Sequence, residues 1–211
     1  SRPGELLAIR AYQKDFHDPI IRQNILNSGN PQVKYVNVPQ AKVYGVEFEI
    51  RKSLDILIPA LKNYKFGANF SIIQSEVDID PLEYEIISKR NPEFDESSRP
   101  FQGQSPYLLN LNLGYTNEKI GWDAGFSYNL FGRRLSEVSE RGTPDVYENP
   151  NGQLNFVLKK QFMDHFGVSF NVKNILNAAY EKSLRYKDKN YIIQQYYTGR
   201  TYSLSLSYNI N

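Results

Sequence analysis

The chain has 211 residues, no cysteine, two histidines and a formal net charge of +2. The length suits one ordinary domain, and the missing thiols exclude a disulfide framework, a thiolate metal site and a cysteine nucleophile together. Lys and Arg are scattered, so the mild charge gives no nucleic-acid footprint, and no run approaches the roughly 20 apolar residues of a membrane-spanning helix.

A first strand is expected around Leu6 to Phe16, where the alternation of apolar and polar residues has no clear phase. A long polar segment, 17–40, follows. Tyr44, Val46, Phe48 and Ile50 then alternate with Gly45, Glu47, Glu49 and Arg51, the period-two signature of a strand with unlike faces. Beyond a turn at 53–62, Tyr64, Phe66, Ala68, Phe70 and Ile72 repeat the pattern, and a second long segment covers 76–104. Between Tyr107 and Tyr115 the alternation is strict, with Leu109, Leu111 and Leu113 between the aromatic ends. At about 3.3 Å per residue this stripe is roughly 26 Å long, close to the apolar band of an outer-membrane barrel with its two aromatic girdles.

After a short turn at 116–119, Ile120, Trp122, Ala124, Phe126, Tyr128 and Leu130 form the next stripe. A long segment, 133–152, leads to Leu154, Phe156 and Leu158. A second short turn, 161–165, precedes Phe166, Val168, Phe170 and Val172. The last long segment, 177–191, precedes Tyr202, Leu204, Leu206, Tyr208 and Ile210, which alternate with Ser203, Ser205, Ser207 and Asn209.

The pattern predicts an all-β protein, an antiparallel transmembrane β-barrel wall of about eight strands. A mean hydropathy of −0.55 is compatible with this, because half of each spanning strand faces a wet lumen and the loops are polar. Long connections on one side and tight turns on the other match barrels whose short side is periplasmic, which puts all four long loops outside the cell. Ser139 and Ser183 are then expected in open outer loops and Asn117 in a short periplasmic turn. No signal peptide stands at Ser1, so a mature protein or an internal or C-terminal piece of a longer one is expected. Two alternatives stay open: a complete eight-stranded outer-membrane barrel acting as an adhesin or structural protein, and a soluble lipocalin-like binding module.

Two segments are distinctive: Asn171-Val172-Lys173-Asn174-Ile175-Leu176-Asn177-Ala178-Ala179-Tyr180, and Tyr197-Thr198-Gly199-Arg200-Thr201-Tyr202-Ser203-Leu204. Together they resemble the end of TonB-dependent outer-membrane receptors. Arg99-Pro100-Phe101-Gln102-Gly103-Gln104-Ser105-Pro106, Lys42 to Glu49 and Tyr12 to Ile20 add to the likeness in order and spacing. The resemblance implies that residues 1–211 are the last strands of a barrel of twenty-two, a size that holds a plugged lumen. It also implies a plug domain upstream, TonB-dependent uptake of a siderophore, cofactor, glycan or peptide across the outer membrane, and no enzymatic activity. The implied partners are the lipid bilayer and lipopolysaccharide, the plug of the same protein, the TonB energising complex, the barrel-assembly machinery and a surface lipoprotein. A terminal aromatic residue is usual in the family, whereas Ile210 is followed here by Asn211.

For chemistry the sequence offers no phosphate-cradling glycine loop, no nucleophile elbow and no cofactor motif. His17 and His165 are expected at opposite ends of the barrel, too far apart for a shared metal site. An acidic run, Glu76, Asp78, Asp80, Glu83, Glu85, Glu93, Asp95 and Glu96, supplies hard oxygen donors without the spacing of a calcium loop. Glu47, Glu49, Arg51, Lys65, Asp123 and Lys173 are expected on the lumen side, either facing the plug or forming cross-strand ion pairs. Outer-loop residues are the candidates for ligand contact. Arg133, Arg134 and Arg141 suit an anionic ligand through forked donors, while Tyr147, Tyr180, Tyr186 and Arg185 suit stacking on a ring.

Overall fold

A run that alternates with period two presents unlike faces only when extended, and every such run in this chain is a strand. The computed structural model describes residues 4–25, 32–90, 96–140, 142–162, 165–187, 189–208 and 210. Its strands are β1 (Leu6–His17), β2 (Ile20–Ile25), β3 (Gln32–Asn37), β4 (Gln40–Ser53), β5 (Tyr64–Asp78), β6 (Ser98–Arg99), β7 (Tyr107–Asn117) and β8 (Trp122–Phe131). They continue with β9 (Arg134–Ser139), β10 (Val146–Glu148), β11 (Gly152–Phe162), β12 (Phe166–Lys173), β13 (Tyr180–Tyr186), β14 (Lys189–Tyr196) and β15 (Thr201–Tyr208). One helix, α1 (Pro81–Arg90), lies between β5 and β6.

Eight long strands form an antiparallel wall in the order β1-β4-β5-β7-β8-β11-β12-β15, with β6 attached to β5. Each long strand pairs with the next along the chain, so the wall is a meander. Register then aligns the apolar stripes into one face. Phe48 stands opposite Phe70, Phe70 opposite Leu109, Leu109 opposite Leu130, and Phe126 opposite Phe156. Phe156 continues to Val172 and Val172 to Tyr202. Because a one-residue slip would move a whole stripe to the other face, this agreement across seven pairings fixes the register strongly. It also sets the phase of β1, since Leu7, Ile9 and Ala11 stand opposite Ile50, Phe48 and Val46.

Among the described residues no protein layer covers the apolar face. Phe48 and Phe126, well inside the sheet, are 42% and 46% exposed. Aromatic residues line its short-turn end: Tyr64 packs on Tyr115 at 4.9 Å and Phe162 on Phe166 at 6.0 Å. Lys160, a charge on this face, lies at the same level with its ammonium 5.0 Å from the Trp122 ring.

The opposite face carries Asn69, Asn110 and Asn129 in one cross-strand row, with Asn129 Nδ2 donating to Asn110 Oδ1 at 2.6 Å. Toward the long-loop end it changes character, and Ala41, Val43, Ile73 and Val77 are buried there. At Gly45 the ring of Tyr12 lies over the backbone, and a Cβ would meet it at 2.3 Å. The three short connections lie at the other end. One of them, Glu118–Ile120, closes on Gly121 at φ +66, where a Cβ would come within 2.4 Å of the Gln161 carbonyl oxygen.

The long connections are not open loops. They carry a second sheet, β14-β13-β10-β9-β2-β3, together with α1. Most of its pairings prolong the wall hairpins past a kink, as where Asp18, at φ +50 beside Pro19 and opposite Pro39, interrupts the ladder between β1 and β4. The exception is a parallel pairing of β2 with β9, whose wall strands β1 and β8 are three strands apart. Two expectations are corrected accordingly. Ser139 and Ser183, read as open loop positions, are each 3% exposed because they sit inside this sheet. Ile210 lies beyond the end of β15 and not on its apolar stripe. The wall is open and does not close on itself, since β1 and β15 do not pair among the described residues. Asn211 lies outside the described residues.

Candidate functional site

The second sheet builds a folded cap over the polar face at the long-loop end. Its core is Ile21, Leu135 and Val138, with Val36, Val38, Phe101 and Tyr147 packed against them. Segment 99–106 holds it to the wall. The Phe101 amide donates to Ser75 Oγ at 3.0 Å, and the Phe101 ring meets Phe16 at 5.5 Å.

Gln102 behaves as a short piece of strand. Its Oε1 accepts from the Arg22 amide at 2.8 Å, while Nε2 donates to the Arg22 carbonyl at 3.0 Å and the Ser136 carbonyl at 2.8 Å. One side-chain amide thus ties β2 to β9, near their parallel pairing. Next to it the Gly103 amide donates to the Leu135 carbonyl at 2.8 Å, with Gly103 at φ +80. Ser105 Oγ donates to the Gly132 carbonyl at 2.9 Å.

Charges fasten the cap in two further places. Arg99, 7% exposed, donates to Glu83 on α1 at 2.6 Å and to Asp145 at 3.2 Å. Asp145 also accepts from the Ser139 amide at 2.8 Å. Burial pushes the Asp145 carboxyl up to about 6; Arg99 and the Ser139 amide oppose that shift, and Glu83 adds to it. At the second fastening, Glu137 on β9 pairs with Lys182 on β13 at 2.6 Å and accepts from Asn24 on β2. Burial raises its carboxyl, but the hydrogen bonds from Lys182 and Asn24 and the charges of Lys182 and Arg22 outweigh it and hold the group below the usual carboxylate range.

The residues expected to contact a ligand fall into separate places. Arg133 is exposed and stacks over Tyr147 at 4.2 Å, so these two do come together. Burial, followed by the Asp145 charge, raises the Tyr147 hydroxyl. Arg134 is turned away, bonded to Glu148 at 2.8 Å with its guanidinium 4.3 Å from the Phe131 ring. Tyr180 stacks on Tyr196 at 5.2 Å and accepts from Gln153 at 2.7 Å. Arg185 and Tyr186 stand exposed near the tip of the β13–β14 hairpin. Tyr147, opposite Ser183, shares a sheet face with Arg185, whereas Arg134, Glu148 and Lys182 share the other. Arg141 lies outside the described residues.

Register puts Glu47, Glu49, Arg51, Lys65, Asp123 and Lys173 on the polar face of the wall. The ion pair among these six runs along β4, from Arg51 to Glu49 at 2.5 Å, not across strands. Asp123 instead accepts from Thr116 at 3.0 Å. Lys173 borders an open concavity of about 340 Å³ lined by Asn112, Gly114, Ser127, Asn155 and Asn171. Glycines and short amides create that space.

The acidic run does not converge on an ion site. Asp80 caps α1, accepting from the Leu82 amide at 2.9 Å ahead of Pro81, while Glu83 faces Arg99 and Glu85 faces Lys89. Among the described residues no group of three or more His, Asp or Glu side chains is arranged to hold a metal. Glu93 and Asp95 lie outside the described residues. The residues that sequence reasoning missed are Gln102, Glu137, Asp145 and Lys182. Only Gln102 carried a signal, as part of the motif before β7.

Comparison with known proteins agrees with this architecture. No curated protein and no solved structure matches the chain. A family model described as TonB dependent receptor-like, beta-barrel matches residues 2–175, from before β1 to just past β12. The matched span ends before β13 to β15, yet β15 pairs with β12 in the register that continues both faces of the wall. With most of its length matched and its strands in a meander with one uncovered apolar face, the chain belongs to the TonB-dependent receptor-like β-barrel family.

Proposed function

We propose that this chain forms part of the wall of a larger outer-membrane barrel that takes up a scarce nutrient by TonB-dependent active transport. The observation that carries the reading is the open wall: among the described residues β1 pairs only with β4, and β15 only with β12. In hydrocarbon each unpaired backbone amide costs several kcal/mol, so such edges require further strands, up to the twenty-two of the family. The plug of the same protein then occupies the lumen against the polar face, where Glu47, Glu49, Arg51, Lys65, Asp123 and Lys173 meet it. The chain performs no covalent chemistry. The cap receives ligand from outside, with the exposed Arg133 stacked on Tyr147 as its contact for an anionic or aromatic group, and Arg185 and Tyr186 at the rim.

Expression of residues 1–211 alone tests the wall. Both edges would be unpaired, so no stable monomeric barrel is expected in detergent. A heat-modifiable, protease-resistant monomer would refute the reading and favour a complete small barrel.

A further inference from the structure

The connection between β4 and β5 differs from a soluble turn. Its sequence, Leu54-Asp55-Ile56-Leu57-Ile58-Pro59-Ala60-Leu61, sets three large apolar residues in a row, and all three are exposed: Ile56 68%, Leu57 70%, Ile58 52%. Runs of exposed apolar side chains are selected against in water unless something covers them. The other turn of known conformation at this end exposes two charges, Glu118 and Lys119, beside a single apolar residue, Ile120 at 52%.

Backbone geometry suits burial. The connection is two 3-10 turns, Leu54–Ile56 and Pro59–Leu61. The Leu57 amide donates to the Leu54 carbonyl at 3.1 Å, Leu61 to Ile58 at 3.0 Å and Lys62 to Pro59 at 3.3 Å, while Pro59 has no amide hydrogen. The turn therefore presents side chains while its own carbonyls hold these amides, the condition for backbone to enter an apolar phase cheaply.

What covers it follows from its neighbours. Tyr64, at the start of β5, belongs to the apolar face and packs on Tyr115 in the aromatic row that ends that face. The turn thus continues the apolar face past its aromatic border. Lys62, exposed, borders it with a positive charge suited to anionic headgroups, while Lys52 on the other side is paired to Glu5 at 2.9 Å. The geometry points to a membrane-interface anchor: the 54–61 turn lies in the headgroup and acyl boundary of the phospholipid leaflet at the short-turn mouth, apolar side chains down and Lys62 outward.

This rests on the apolar face being the lipid face, so the experiment includes a reporter for each. In the full-length protein, reconstituted in phosphatidylethanolamine and phosphatidylglycerol vesicles, nitroxide labels are attached to Leu57→Cys, Ile56→Cys, Leu111→Cys and Lys119→Cys. Collision rates with oxygen, which concentrates in lipid, and with a water-soluble nickel chelate are then compared. Leu57→Cys and Ile56→Cys are expected to show an oxygen-to-nickel ratio several-fold above that of Lys119→Cys and near that of Leu111→Cys. A ratio like that of Lys119→Cys, with Leu111→Cys still reporting lipid, overturns the anchor alone. Protection from both reagents also overturns it, because protein then covers the turn. A water-like ratio at Leu111→Cys overturns the lipid face itself.

Discussion

Leu111 is the position at which the lipid face can be tested most directly. It lies at the middle of the stripe from Tyr107 to Tyr115, opposite Ala68 on β5 and Tyr128 on β8. Four residues at about 3.3 Å put each aromatic end roughly 13 Å away along the strand, so a lipid-facing Leu111 would sit near the bilayer midplane. There an Arg costs about 2–4 kcal/mol, or roughly 30- to 900-fold in the folding equilibrium. Asn112, its chain neighbour, points to the other face beside Gly67 and Ser127, where the open concavity leaves room for a longer side chain in water. Asn112→Arg, which stays out of lipid, is therefore expected to cost clearly less than Leu111→Arg. Urea unfolding of the full-length protein from lipid vesicles, followed by the gel shift of the folded form, measures both. Equal costs at the two adjacent positions, or a larger cost at Asn112, would refute the face assignment.

Gln102→Ala removes three hydrogen bonds between β2 and β9 and is expected to weaken the cap by about 2–3 kcal/mol, read as faster amide exchange in 20–25 and 134–139 with the wall unchanged. The folded Asp145 value of about 6 lies above its ordinary 3.8, so between these values the closed cap holds a proton that the opened cap releases. Its contribution, about 3 kcal/mol, is present below roughly pH 4 and lost as pH rises through 6. Exchange protection of the Ser139 amide should therefore fall as pH approaches 6, and this fall should be absent in Asp145→Asn, where the opposite, stabilising ionisation of Glu137 remains; a rise toward pH 6 in the parent would contradict it. For sidedness, Asn190→Cys on β14 should react with an impermeant maleimide on intact cells, and Lys119→Cys only after the outer membrane is opened. The reverse pattern would invert the topology.

What the residues determined on their own was the wall. Strand formation there depends on period-two alternation, which is local, so all eight long strands were legible from the sequence, and with them the apolar faces of seven, from Tyr44 to Tyr208. The position of the connections was equally legible, because Asn, Pro, Gly and charge interrupt alternation wherever they occur. The cap was not. Segments such as 133–152 and 177–191 have no dominant period, and they become strands because partners far along the chain complete their ladders, as Glu137, Asn24 and Lys182 do across three strands. Even β1 took its phase from β4 and not from its own residues. Burial of Ser139 and Ser183 and the raised carboxyl of Asp145 have the same origin: each depends on atoms brought close by the fold over separations that no local pattern encodes. Tertiary structure alone decided that polar connections would make a core, since the hydrogen bonds and apolar contacts that offset their desolvation exist only once β2 has crossed to β9.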